Sequence, residues 1–149
     1  MSCWHKIILI AIVALSTVWN GQAQGNRIID YSADMSSVDP KIGNGIKRLL
    51  GNVRLTHKDL VFTCDSAYFD LNTNQFKGFS RVHIIKADTL HIYGQQIDYS
   101  GQTELARLEG NILMDNGKEI LKAPRVDYDM KSETATYFGG GQIIDSANT

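Results

Sequence analysis

Three histidines lie well past the N-terminus, His57, His83 and His91. A zinc centre needs three or four convergent ligands. His83 and His91 could approach each other across neighbouring strands, but both fall on the face that alternation assigns to solvent. Asp88 is the only carboxylate near them in sequence. They read as a solvated polar face, and no metal site is assigned. Carboxylates are numerous, and two of them, among Asp65, Asp88 and Asp98, could flank a sugar as glycosidases require. No nucleophile elbow, phosphate loop, dinucleotide fingerprint or paired-cysteine metal spacing is present. Gly139-Gly-Gly141 lacks the Lys-Ser/Thr and the helix that a phosphate loop needs, and reads as a flexible corner. No cofactor is implied.

The N-terminus reads as an export signal. His5 and Lys6 give a short positive start, and Ile7 to Val18 is apolar apart from Ser16 and Thr17. Gly21 and Ala23 supply small residues for cleavage near Ala23, and the apolar run is short for a membrane span. The expectation is a signal peptide over 1–23 and a single domain over 24–149. Trp19, at an interfacial position, leaves an uncleaved anchor as the alternative. Cys3 would leave with the signal. Cys64 alone cannot form an internal disulfide, so packing and strand pairing must hold the fold. Without Lys6 the chain carries 14 basic and 16 acidic residues and no run of like charge, so nothing favours nucleic acid.

The elements that would position these residues are strands. Short alternating runs such as Val53–Thr56, Leu60–Thr63, Arg81–Ile84 and Arg125–Tyr128 lie between Gly, Asn and Asp clusters, and helical periodicity is nearly absent. Asn116-Gly117 is a hairpin signal. The strands repeat. Gly51-Asn-Val-Arg-Leu55 has counterparts in Ser80–Ile84, Gly110–Met114 and Gly141–Ile144, with Val53, Val82, Ile112 and Ile143 spaced by 29, 30 and 31 residues. Ala67–Asp70, Ile97–Ser100 and Val126–Asp129 form a second register, and Phe76, Ala106 and Tyr137 a third. Regular repeats thus run from about residue 50. Ile29-Asp-Tyr-Ser32 repeats Ile97–Ser100 letter for letter, and Ala33 to Leu50 reads as an irregular first turn: a cap, a docking surface or a mobile arm.

Side chains alternate across a strand, so Val53, Leu55, Leu60, Phe62, Val82, Ile84, Leu90, Ile92, Ile112, Met114 and Tyr128 are the candidate inner residues. Arg54, His83, His91 and Leu113 face the other way. Stacked copies build one apolar face, giving an all-β folded sheet or solenoid. The glycine at each strand start marks a corner where the sheet bends.

These residues resemble the OstA-like, LptA-type family of periplasmic lipopolysaccharide transport proteins. The resemblance rests on Leu50-Gly-Asn-Val53, Cys64-Asp-Ser-Ala67, Asp88-Thr-Leu90, Tyr93-Gly94, Tyr99, Leu108-Glu-Gly-Asn111, Tyr128-Asp129 and Tyr137 with the glycines before Ile143. It covers about residues 28 to 145, and the Cys-Asp-Ser-Ala and Asp-Thr-Leu forms are similar to those of Bacteroidetes-type bacteria. The resemblance implies an open-ended β-jelly roll in the periplasm whose apolar interior shields lipid A acyl chains. The inner residues named above would line it. It further implies end-to-end assembly with other transport proteins or with itself through edge strands. The chain would be a conduit, not an enzyme. One departure is that it stops at Thr149, soon after the fourth strand start, whereas such members often carry further repeats. Two other readings stay open: an exported structural β-repeat without a lipid ligand, marked by a filled interior, and a carbohydrate-active β-solenoid, marked by acidic residues in a cleft.

Overall fold

The computed structural model describes residues 28–145. The expected signal peptide and its cleavage near Ala23 lie outside the described residues. Ten strands follow in order: β1 Asp30–Ser32, β2 Met35–Val38, β3 Ile46–His57, β4 Leu60–Asp70, β5 Gln75–Lys86, β6 Leu90–Ser100, β7 Leu105–Asp115, β8 Glu119–Asp129, β9 Thr134–Phe138 and β10 Gln142–Asp145. Each pairs antiparallel with its neighbours in one meander. β1 and β2 both lie along β3, and β9 and β10 both lie along β8.

The strands are longer than alternation suggested because each of β3 to β8 passes through a corner without ending. The register between neighbours shifts at Leu50/Val53, Thr63/Ser66, Phe79/Val82, Tyr93/Gln96 and Glu109/Ile112. Gly51-Asn52, Ser80-Arg81 and Gly110-Asn111 take left-handed backbone there, a conformation that glycine and asparagine tolerate best. Adding a Cβ at Gly110 would bring it 2.7 Å from Gln95 Cβ, so both φ and space require glycine. Gly139-Gly140, also left-handed, makes the same corner between β9 and β10. Consecutive bulges at one level fold the sheet over on itself, and the two halves enclose the core.

Two repeat assignments need correction. Ile143 pairs with Leu121, the partner of Met114, so it shares a row with Leu55 and Ile84 rather than with Val53, Val82 and Ile112. Likewise Ala135, not Tyr137, continues the row of Phe76 and Ala106. The last copy is displaced by two residues. A two-residue slip leaves every side chain on its original face, so alternation could not reveal it. The identical Ile29–Ser32 and Ile97–Ser100 also occupy different places. Tyr31 lies opposite Leu55 beyond the corner, and Tyr99 opposite Phe76 before it. The irregular first turn is ordered: β2 lies on β3, and Leu71 N–H donates to Gly45 O at 3.0 Å.

Candidate functional site: the interior of the roll and its seam

Alternation sends one side chain in two to the inside, and the two halves of the folded sheet meet there. Val53, Leu55, Leu60, Phe62, Val82, Ile84, Leu90, Ile92, Ile112 and Tyr128 are all buried, at most 7% exposed, and Met114 packs half-buried against them. Every inner candidate therefore points inward. Of the other half of the core only Tyr128 was singled out, although Leu49, Ala67, Phe69, Phe76, Ile97, Tyr99, Ala106, Leu108 and Val126 are equally buried. Most of them lie in the second and third repeat registers, with Ala67, Phe69, Ile97, Tyr99 and Val126 after the corners of β4, β6 and β8 and Phe76 and Ala106 before those of β5 and β7. Phe62 of one half packs against Phe76 and Tyr99 of the other, with ring centroids 5.1 and 4.5 Å apart. Such pairs add about 0.5–1.5 kcal/mol beyond their buried area.

Folding the sheet gives it two lips. One carries the turns at 58–59, 87–89 and 116–118, and the other those at 71–74, 101–104 and 130–133. Within a lip, backbone bonds join successive turns: Ala87 N–H to Asp59 O, Gly101 N–H to Asn74 O and Met130 N–H to Glu104 O. Between the lips the described hydrogen bonds all use a side chain. Ile28 N–H donates to Asn74 Oδ1 at 3.1 Å. Lys58 Nζ donates to Glu104 Oε1. Lys86 Nζ donates to Met130 O at 3.0 Å and to Glu133 Oε1 at 2.6 Å. Inside the second of these clasps, His57 Nδ1 and the Tyr99 hydroxyl lie 2.7 Å apart and buried.

Each clasp joins groups 44 to 47 residues apart, so the seam climbs by one hairpin at each step. Asn74, Glu104 and Glu133 all take left-handed backbone at the ends of their turns. None of these seam residues stood out in the sequence, because a basic or acidic turn residue looks like any solvated one. Their charges are tuned accordingly. The Lys58 ammonium holds the Glu104 carboxyl below its usual range. Burial lowers the His57 pKa, against the raising effect of Glu104. Burial also keeps the Tyr99 phenol protonated far above the usual range.

The burial weakens toward the last strands. Leu121 and Ala135 are half-buried, while Tyr137 and Ile143 are 46% and 60% exposed. All four sit on rows that point inward further back. At the opposite edge Met35 and Val38 are 60% and 57% exposed.

The outer face holds the remaining candidates. His83 Nε2 and His91 Nδ1 lie 3.1 Å apart, and the His83 ring stacks on Tyr93. Burial, with His91 next, lowers the His83 pKa. Asp115, opposite His91 across the strand pair, is the acidic neighbour that sequence distance hid. Among the described residues no group of three or more His, Cys, Asp and Glu is placed to hold a metal ion. Asp65 is bound twice over by Arg81, and Asp98 faces Lys77 at 3.5 Å. These carboxylates stand singly in ion pairs rather than together in a cleft. Cys64 is buried, and that burial pushes its thiol up to about 11.

A family model described as OstA-like protein matches residues 26–149. The chain belongs to the OstA-like family. No curated protein matches it. This OstA-like chain is also similar in structure to the crystal structure of LptH from Pseudomonas aeruginosa, described as the LptA homologous periplasmic component of the conserved lipopolysaccharide transport device. The TM-score is 0.68 at 15% identity, over 78% of this chain and 93% of that one. At that identity the likeness concerns the fold, an open-edged β-jelly roll.

Proposed function

We propose that this OstA-like chain is an exported, single-domain periplasmic carrier of lipopolysaccharide, which shelters lipid A acyl chains inside the roll and assembles end to end through its edge strands. The observation that carries the reading is the run of inward rows, closed over most of the roll and exposed at Tyr137 and Ile143. Shielding contributes about 0.8 kcal/mol per buried CH₂, so even partial enclosure of an acyl chain offsets much of its exposure to water. OstA-like membership and the likeness to LptH support it. The chain acts as a conduit and catalyses nothing, in keeping with carboxylates dispersed in ion pairs.

Strand direction supports head-to-tail assembly. β9 and β10 run antiparallel to β8, so the next strand must run in the sense of β1 and β2. The row Leu50, Ser66, Phe79, Gln96, Glu109, Arg125 and Phe138 begins beside Met35, so continuing it into a second copy sets Phe138 beside that copy's Met35. The same reasoning sets bulky Tyr137 beside small Ser36 and small Ala135 beside Val38. Exposed apolar residues thereby cover one another.

One observation favours the second reading, a structural β-repeat without lipid: the buried core runs from β3 into β8. Photo-crosslinking separates the two. With a photoreactive side chain at Phe62, Ile92 or Tyr137, the carrier labels lipopolysaccharide, and at Arg54 it does not. Labelling from Arg54 alone, or from no position, overturns the carrier reading.

A further inference from the structure

Outside the core, the roll carries a second concavity along its line of corners, at mid-strand and away from both lips. Arg54, Thr63, His83 and Tyr93 follow one another on the outer face of β3 to β6. With Asn52, Arg81, Gln95 and Asn111 at the corners they bound a groove of about 700 Å³. The same row continues into Leu113, Lys122 and Gln142, which line a second groove of about 470 Å³ together with Pro124 and Gly139 to Gly141. Asn111 borders both, so one channel runs across the strands from β3 to β10. Its charge is unbalanced. Arg81 is held by Asp65, and Asp34 takes the Asn52 amide at the β3 end. Arg54 and Lys122 carry no ion pair among the described residues. On the outer face of the other half, Lys77, Arg107 and Arg125 instead stand against Asp98 and Asp127.

We infer that this corner channel binds a linear, acidic, N-acetylated glycan, the polymer of the bacterial cell wall, laid along the axis of the roll. It rests on the periplasmic part of the proposed function and not on lipid carriage. Arg54 and Lys122 meet the carboxylates of the polymer. The exposed amides of Gln95, Asn111 and Gln142 both donate and accept, as an acetamide group requires. Tyr93 is 43% exposed and stacks on His83 at 4.3 Å, which gives the apolar face of a sugar ring a fixed aromatic neighbour. The spacing selects the polymer. Side chains of one row recur every ~4.8 Å across a sheet, close to the advance of one ring along a linear glycan, whereas an extended peptide advances ~3.3 Å per residue and falls out of step. The glycines 139–141 leave the far end of the channel without side chains to obstruct it, and around Gly140 there is open space. A glycan held there leaves the interior and both edge strands uncovered.

The test is co-sedimentation of the purified chain with insoluble cell-wall sacculi, with circular dichroism confirming the fold of each variant. The chain should sediment, and soluble muramidase fragments of the wall should release it. Arg54→Glu with Lys122→Glu should weaken binding about tenfold. Tyr93→Ala and Asn111→Gly should weaken it less, the second keeping the left-handed backbone at that corner. Arg48→Glu with Lys77→Glu makes the same change of charge on the outer face of the other half and should leave binding unchanged. Failure of the unaltered chain to sediment, or an equal loss in that control, overturns the channel. Release by lipid-free polysaccharide from lipopolysaccharide, and not by wall fragments, overturns it also. Lipopolysaccharide labelling from Phe62, measured in the same variants, keeps the two readings apart: labelling without sedimentation removes the channel alone, and sedimentation without labelling removes carriage alone.

Discussion

The hairpins of β3 to β6 and those of β8 to β10 follow one repeat, yet the first are shut and the last stand open. Both have an inward apolar row, a left-handed corner and polar turns. They differ in what lies 44 to 47 residues further on. Ile28, Lys58 and Lys86 each find a turn of the opposite lip at that distance, and all three clasps lie over the closed hairpins. Closure in this fold is a property of succession, since a hairpin is sealed by one that comes later. The edges differ too. Lys47 of β3, opposite Val38 of β2, points inward with Nζ 2.5 Å from the Tyr31 hydroxyl of β1, a charge one strand in from the edge. The β9 and β10 edge presents Ala135, Tyr137 and Ile143 on its inward rows, with Asp145 two residues beyond Ile143.

Core truncation breaks the comparison most severely. Phe62→Ala should cost about 3–5 kcal/mol by urea unfolding, while Tyr137→Ala should cost under about 0.5 kcal/mol, because only the first is enclosed. Equal losses would mean that the closed and open regions are not distinct. The corners come next. Gly110→Ala meets both a φ of +88° and the Gln95 side chain, and should destabilise by about 1–3 kcal/mol. Gly140→Ala, with a similar φ but open space around it, should cost less in the same titration.

A pH effect should appear in the closed part. Burial lowers the pKa of His57 in the folded chain, so the unfolded chain takes up that proton first as pH falls. Stability is full above about pH 6.5, declines below it, and levels off beneath the folded pKa. Melting temperatures between pH 7.5 and 5 should show this decline, and His57→Gln should flatten it. His83, lowered by burial on the outer face, acts in the same direction, so His83→Gln should flatten the remainder. The smallest effect on stability is the most informative about assembly: Phe138→Ser should leave the melting temperature nearly unchanged and reduce the concentration-dependent mass seen by light scattering. The same decrease should follow from Met35→Ser at the other edge.

Much of this was legible in the residues. Alternation placed all eleven inner candidates on the correct face, and the Gly51, Ser80 and Gly110 strand starts marked the corners. What alternation could not fix was register, since its period of two is blind to the two-residue slip at Ile143 and Tyr137. The seam was illegible for a different reason. Its partners are single polar residues on turns, and no local pattern distinguishes Glu104 or Lys86 from a solvated neighbour until the sheet folds over and brings position 58 to 104.

The climbing seam also sets an order in time. Ile28 cannot be closed until Asn74 has emerged, nor Lys58 until Glu104, nor Lys86 until Met130. A chain that emerges N-terminus first can therefore shut rung by rung. Never more than about one and a half repeats of apolar strand then wait unsealed, in contrast to sandwiches whose first strand waits for the last.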